Sequence, residues 1–233
     1  MRNTVAKFFS FTFLLLVCAV TARADIDFSI GEPELTVTDK MMANGRVNAI
    51  KHADEMLHSP QDVVVGNPTG SVTMIQFVDF LCPLSEKMDP AIQALIKDNP
   101  DLRIVYKPYP IRGEVSSYAA QAAWAANQQG KYQPYHVALM RVGNDLTLAK
   151  IIALAKSQGI DSVKLQAEIN AGQFTQAVTK ARKLAGIIGV PGTPALFFAK
   201  TNLTTSAKQD EIIFMLGTFT QSELQAAVDQ LQK

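Results

Sequence analysis

The chain contains two cysteines, Cys18 and Cys82, and three histidines, His52, His58 and His136. Cys82 stands in the setting most suited to chemistry. Before it runs Val72-Thr73-Met74-Ile75-Gln76-Phe77-Val78, a β-branched and aromatic stretch with the composition of a buried central strand. After it Met88, Ile92, Leu95 and Ile96 recur at helical spacing, and the run closes at Asn99-Pro100. Pro83 suits the first turn of that helix, where a missing N–H leaves no intrahelical bond unmade. The spacing therefore puts Cys82 at the N-cap, facing unpaired N–H groups and the positive end of the helix dipole. A cysteine so placed favours thiolate over thiol, and a thiolate attacks disulfide sulfur. Ser85 is placed either to donate a hydrogen bond to that thiolate or only to cap the first helical turn.

The histidines offer less. His52 and His58 are six apart and His136 is remote, so no pair has the i, i+4 spacing of a helical metal site, and each reads as a surface or packing residue. No metal and no cofactor is expected. Asp145 and Asp161 stand where helices begin and read as caps. Trp124, on an alanine-rich stretch, reads as core.

The elements that must position Cys82 follow from periodicity and punctuation. Short strands are expected near 63–65 and at 102–107. Helices follow at 117–128, 132–142, 146–157, 162–171 and 175–188, separated by Gly130, Gly143-Asn144, Gly159 and Gly172. Residues 194–199 and 211–216 form an antiparallel pair, and 221–231 a closing helix. Upstream, Met41, Met42, Val47, Ile50, Ala53, Met56 and Leu57 outline one amphipathic helix over 39–57, whose apolar face must be buried against its own domain or against a second copy.

Residues 1–24 read as a secretory signal: Arg2 and Lys7, an apolar stretch from Phe8 to Val20, and the small-x-small site Ala22-Arg23-Ala24. Val17 before Cys18 argues against a lipidated cysteine, since small residues are required there. Cleavage leaves 19 basic and 21 acidic residues, a net charge of −2, which gives no sign of a nucleic-acid or anionic-membrane partner. No later apolar stretch is long enough to span a bilayer. The mature chain is thus expected to be a soluble periplasmic protein with Cys82 as its one thiol, and an unpaired cysteine in that compartment points to intermolecular exchange or a reactive thiol. A buried, inert cysteine is the alternative.

The order of strand, Cys82-Pro83-x-x and helix resembles the thioredoxin fold, and the surroundings narrow the resemblance to the DsbA-like thiol:disulfide oxidoreductases of the periplasm. Gly66-Asn67-Pro68 with Phe77-x-Asp79-Phe80 is similar to that family's entry into its catalytic strand, and Tyr106-Lys107-Pro108-Tyr109-Pro110 to the end of its next strand. Val190-Pro191-Gly192-Thr193-Pro194 is similar to the loop whose proline is cis and packs beside the cysteine. The resemblance covers roughly residues 60–233. It implies an α/β fold: a thioredoxin fold with an inserted helical subdomain at about 113–188, within a domain at 61–233, behind an N-terminal helical extension at 25–60. It implies a catalytic role for Cys82, beside which Ser85 is the candidate catalytic donor read from its own position, and contact of substrate with Pro83, Leu84, Thr193 and Pro194. The backbone of Thr193 would pair with an extended client strand. Extensions like that of 39–57 often build oligomers in such relatives, so a homo-oligomer through these residues is a second expectation.

Two departures stand beside the matches. The family's Cys-x-x-Cys is here Cys82-Pro83-Leu84-Ser85, and a serine cannot close an intrachain disulfide. The buried carboxylate six residues before the nucleophile, which serves the second thiol, is here Gln76. The expected chemistry is therefore exchange through one nucleophile and mixed disulfides with cysteine-containing exported proteins or small thiols, isomerase-like or reductase-like in direction and unlike a dithiol oxidase. A redox-inactive binding or chaperone-like module is the alternative. Thiol peroxidase chemistry is a third, weaker reading, with Thr193 the one evident neighbour for a sulfenic acid.

Overall fold

The structure is a computed structural model and describes residues 36–233; the secretory signal expected at 1–24 and the polar stretch after it lie outside the described residues. In chain order the elements are α1 (Val37–Lys51), α2 (Ala53–Leu57), β1 (Val63–Gly66), β2 (Val72–Val78), α3 (Pro83–Asp98), β3 (Leu102–Pro108), α4 (Glu114–Gln128), α5 (Tyr132–Val142), α6 (Leu148–Ser157), α7 (Ser162–Asn170), α8 (Thr175–Ile188), β4 (Ala195–Lys200), β5 (Ile212–Leu216) and α9 (Gln221–Gln232). The strands form one sheet in the order β1-β3-β2-β4-β5.

β2 is the centre of this sheet because every one of its side chains is apolar or can be buried, and all seven residues are buried. It pairs parallel with β3 and antiparallel with β4, with Phe77 opposite Ala195 at the end nearest Cys82. The period of two divides its side chains between two cores. Met74 and Val78 face a core with Met88 and Ile92 of α3, residues of α4 to α7, and Leu224 and Val228 of α9. Ile75 and Phe77 face the other core, with Ile50 of α1, Met56 and Leu57 of α2, and Leu184 and Ile188 of α8. The fold is the α/β thioredoxin arrangement with added helices. Five helices link β3 to β4, and α8, the last of them, crosses to the sheet face opposite α3.

The helix expected over 39–57 is two helices. The chain leaves helical geometry at His52 (φ −113°, ψ 29°). Two buried cations of β3 hold the end of the second helix. Arg103 Nη2 donates to Leu57 O at 2.8 Å, and Lys107 Nζ donates to Glu55 O and to Asp62. Those carbonyls lie in the last turn, which leaves them without intrahelical partners, so the cations satisfy them. The segment lies against its own sheet, and the close approach depends on Gly45: a Cβ there would stand 2.7 Å from Phe214 Cε1, and Phe214 is itself stacked on Phe197 at 4.1 Å. The helix expected to begin at Leu146 starts at Leu148, after Thr147 caps it by accepting from Lys150 N.

The Asp62–Lys107 pair gives a pH dependence with a definite sign. Burial pushes the Asp62 carboxyl up to about 6, against the pull of Lys107. A carboxyl raised above its unfolded value adds stability that is complete below about pH 4 and is lost as pH rises through 6. Relative to Asp62→Asn, the unaltered protein is expected to lose unfolding free energy between about pH 4 and pH 7. Urea titrations of both proteins at the two ends of that window check this.

Candidate functional site

The sharp turn from β2 into α3 fixes the nucleophile. Cys82 is the N-cap residue with extended backbone (φ −85°, ψ 116°), and Pro83 occupies the first helical turn. Its N–H donates to Asp79 O at 3.1 Å, and its carbonyl accepts the Glu86 N–H at 3.0 Å. The turn is held by the Asp79 side chain, which is 1% exposed. Oδ1 accepts from Leu81 N at 2.9 Å and from Ser116 Oγ at 2.6 Å, and Oδ2 accepts from Ile111 N at 2.8 Å. One carboxylate thus ties the loop before Cys82 to the β3–α4 loop and to the start of α4.

Across from Cys82 lies the loop between α8 and β4, in which the Thr193–Pro194 peptide is cis. The Cys82 thiol donates to Thr193 O at 3.1 Å. Cys82 is 2% exposed and Thr193 8%. Two hydroxyls here, Ser85 Oγ and Thr193 Oγ1, are buried with no hydrogen-bond partner among the described residues while the sulfur is a thiol. Burial pushes the Cys82 thiol up, but hydrogen bonds from the Thr193 and Ser85 side chains and from the backbone N–H groups of Ser85 and Leu84 outweigh it, and the net shift is downward. The physical sense is that ionisation turns the sulfur from donor to acceptor, so the two hydroxyls gain a partner only when the thiolate forms.

The residues singled out in the sequence meet at this point. Cys82, Pro83, Leu84 and Ser85 open α3, and Thr193 and Pro194 stand on the other side of the sulfur. Leu84 is 50% exposed and Ile111, held in place by Asp79, is 43% exposed. The sulfur is recessed, and the apolar side chain of Leu84, two residues on, is exposed at the surface. Gln76 lies on the α3 side of the sheet beside Tyr106, its register partner, and its amide nitrogen and oxygen and the Tyr106 hydroxyl have no partner among the described residues. Among those residues no group of three metal-ligating side chains is assembled.

Sequence reasoning gave Asp79 no site role, although a lone acid inside an apolar run before an N-cap was a signal available to it. It also set His136 aside. That ring is fully buried and meets Asp89 of α3, with Nε2 to Oδ1 at 3.0 Å.

Residues 73–228 match the family described as the DSBA-like thioredoxin domain. The chain is similar to a thioredoxin-like oxidoreductase from Silicibacter pomeroyi DSS-3, at 34% identity with a TM-score of 0.68, covering 77% of this chain and 96% of that one. It is also similar to BcfH of Salmonella enterica Typhimurium, at 26% identity with a TM-score of 0.73, covering 83% of each. Among curated proteins, 144 residues are 29% identical to a segment of the Na(+)/H(+) antiporter NhaA 3 of Salinispora tropica, covering 59% of this chain and 21% of that protein. The chain thus spans about a fifth of the length of the curated relatives it matches. No helix of the described residues is long and apolar enough to cross a membrane.

Proposed function

The chain belongs to the DSBA-like thioredoxin-domain family, and from that premise we propose that it performs thiol–disulfide exchange through Cys82 alone, by way of mixed disulfides. The observation that carries this reading is the pairing of a thiol shifted toward its thiolate with a serine where a second thiol would stand. The Cys82 thiolate attacks one sulfur of a client disulfide; a new S–S bond forms, the old one breaks, and the leaving thiolate takes a proton from solvent. Ser85 cannot repeat the attack, so an external thiol must. If that thiol belongs to the same client, the result is isomerisation; if small thiols supply it, one displaces the client's sulfur as a thiol and forms a mixed disulfide with Cys82, and a second breaks that bond, so that Cys82 is regenerated and the two small thiols leave joined as a disulfide. Neither route makes Cys82 a net donor of disulfides from a dithiol cycle.

Pro83, Leu84, Thr193 and Pro194 are the contact residues in this reading, and the exposed Ile111 joins them in it. The setting is the periplasm, reached by cleavage after residue 24, with exported cysteine-containing proteins or small thiols as partners. Homo-oligomerisation through 39–57 belongs to this reading too, the segment burying one face on its own sheet.

The test uses purified residues 25–233, oxidised glutathione and a disulfide-bonded peptide, with intact mass as the readout. A single adduct on Cys82, removed by added thiol and absent from Cys82→Ala, is the expected result. Binding of the peptide that is equally tight in Cys82→Ala, with no adduct in the unaltered protein, would replace this reading with the binding or chaperone-like module.

A further inference from the structure

We propose that His136 is a positioning residue for the Cys82 thiolate, acting from the helices between β3 and β4 on both segments that hold the nucleophile. The inference rests on the exchange reading above and deepens it. His136 sits on α5, is fully buried, and has two distinct attachments to the nucleophile's supports. The first is to the helix that Cys82 caps: Nε2 lies 3.0 Å from Asp89 Oδ1, two turns into α3. The second is to the loop before Cys82: the ring meets Phe80 edge-on at 5.3 Å between centroids.

Nε2 faces Asp89 as its acceptor, and Nδ1 lies 3.3 Å from the Tyr132 hydroxyl, which can give or take that hydrogen bond. Asp89 Oδ1 also accepts from Gln93 Nε2 at 3.0 Å, and Gln93 Oε1 accepts from Gln133 Nε2 at 2.5 Å. Tyr106 closes the other face of the ring at 4.7 Å. So α3 is joined to α5 by a buried polar seam, and His136 is the member that also touches the catalytic loop. An apolar contact would bury the same area with less directionality; a bond of fixed length and angle sets where α3 lies along α5.

The consequence for the sulfur runs through Thr193. The Leu84 and Ser85 donors move with α3, because Cys82 caps that helix. Thr193 does not; it belongs to the loop entering β4. The Thr193 hydroxyl, which pulls the Cys82 thiol down, is therefore the part of the thiolate's stabilisation that depends on how α3 is held, and His136 holds that helix at Asp89 and the loop before it at Phe80.

The test compares His136→Phe, which keeps an aromatic ring against Phe80 but removes the bond to Asp89, with the double variant His136→Phe/Asp89→Leu, which also removes the carboxylate left without its histidine. Three quantities are read for each: the thiolate absorbance of Cys82 against pH, the rate of adduct formation with oxidised glutathione, and the urea midpoint. Expected for His136→Phe is a thiol midpoint raised by about half a pH unit or more, the size of one weakened hydrogen bond to a thiolate, and adduct formation at pH 7 slowed about threefold. The double variant is expected to recover stability while the thiol midpoint stays raised. The proposal is overturned if either variant that folds keeps the unaltered thiol midpoint, or if the double variant restores midpoint and stability together, which is the signature of a purely structural residue. Failure of the exchange reading is separable, because it would appear in the unaltered protein as a thiol with no depressed midpoint and no adduct.

Discussion

Ser85→Cys is expected to turn a mixed disulfide that waits for an external thiol into one that resolves within the chain. Ser85 is fully buried one turn after Cys82, and its hydroxyl has no hydrogen-bond partner among the described residues while Cys82 is a thiol, so a sulfur in its place breaks no bond made there. The new thiol would attack its neighbour at an effective concentration of about 1 mM or more, the scale for groups joined by a short tether. Against about 10 µM of free thiol, the lifetime of a Cys82 adduct should fall by about a hundredfold. Acid-quenched samples separated without reductant would show the adduct replaced by an internal disulfide. An adduct as persistent as in the unaltered protein would mean that the serine is not what prevents a dithiol cycle. The variant also tests a sequence inference: with Gln76 in place of a buried carboxylate, the second thiol has no nearby base, and its attack should remain dependent on pH up to about the 8.5 of an ordinary cysteine.

Asp79→Ala is expected to be the most destabilising single change near the site. Its carboxylate accepts three hydrogen bonds in a place that is 1% exposed, from Leu81 N, Ser116 Oγ and Ile111 N. Truncation strands three donors, each at about 1–3 kcal/mol when left unsatisfied, so a loss of about 3–5 kcal/mol in urea unfolding is the expected outcome. Asp79→Asn keeps the shape and one acceptor oxygen and should lose less. A loss below about 1 kcal/mol for the alanine variant would show that the three loops do not need this link.

These two residues also mark the boundary of what could be read from sequence. Cys82 and Ser85 were legible because their signals are local: a strand composition, a proline in the first turn, and helical spacing after it. The central place of β2 in the sheet was likewise legible in a run able to be buried on both faces. Asp79, Asp89 and His136 were not legible as a group, because their partners lie 32, 37 and 47 positions away. Nothing in the chain order announces such pairings. The end of the N-terminal helical segment is another case. Periodicity over 39–57 supports one helix, and it carries no sign of the two cations of β3, 46 and 52 positions on, that take up the Leu57 and Glu55 carbonyls of the last turn. Resemblance supplied what local signals could not, by bringing Thr193 and Pro194 to the cysteine across more than a hundred residues.

The most direct test of the account is the pH dependence of Cys82 alkylation in the folded, unaltered protein, with Cys82→Ala as the blank. The account predicts a midpoint clearly below the ~8.5 of a free cysteine, returning to that value in urea, because the donors around the sulfur outweigh its burial only in the folded chain. A folded-state midpoint at or above ~8.5, or a thiol that reacts only after unfolding, would contradict it and make Cys82 an inert core cysteine.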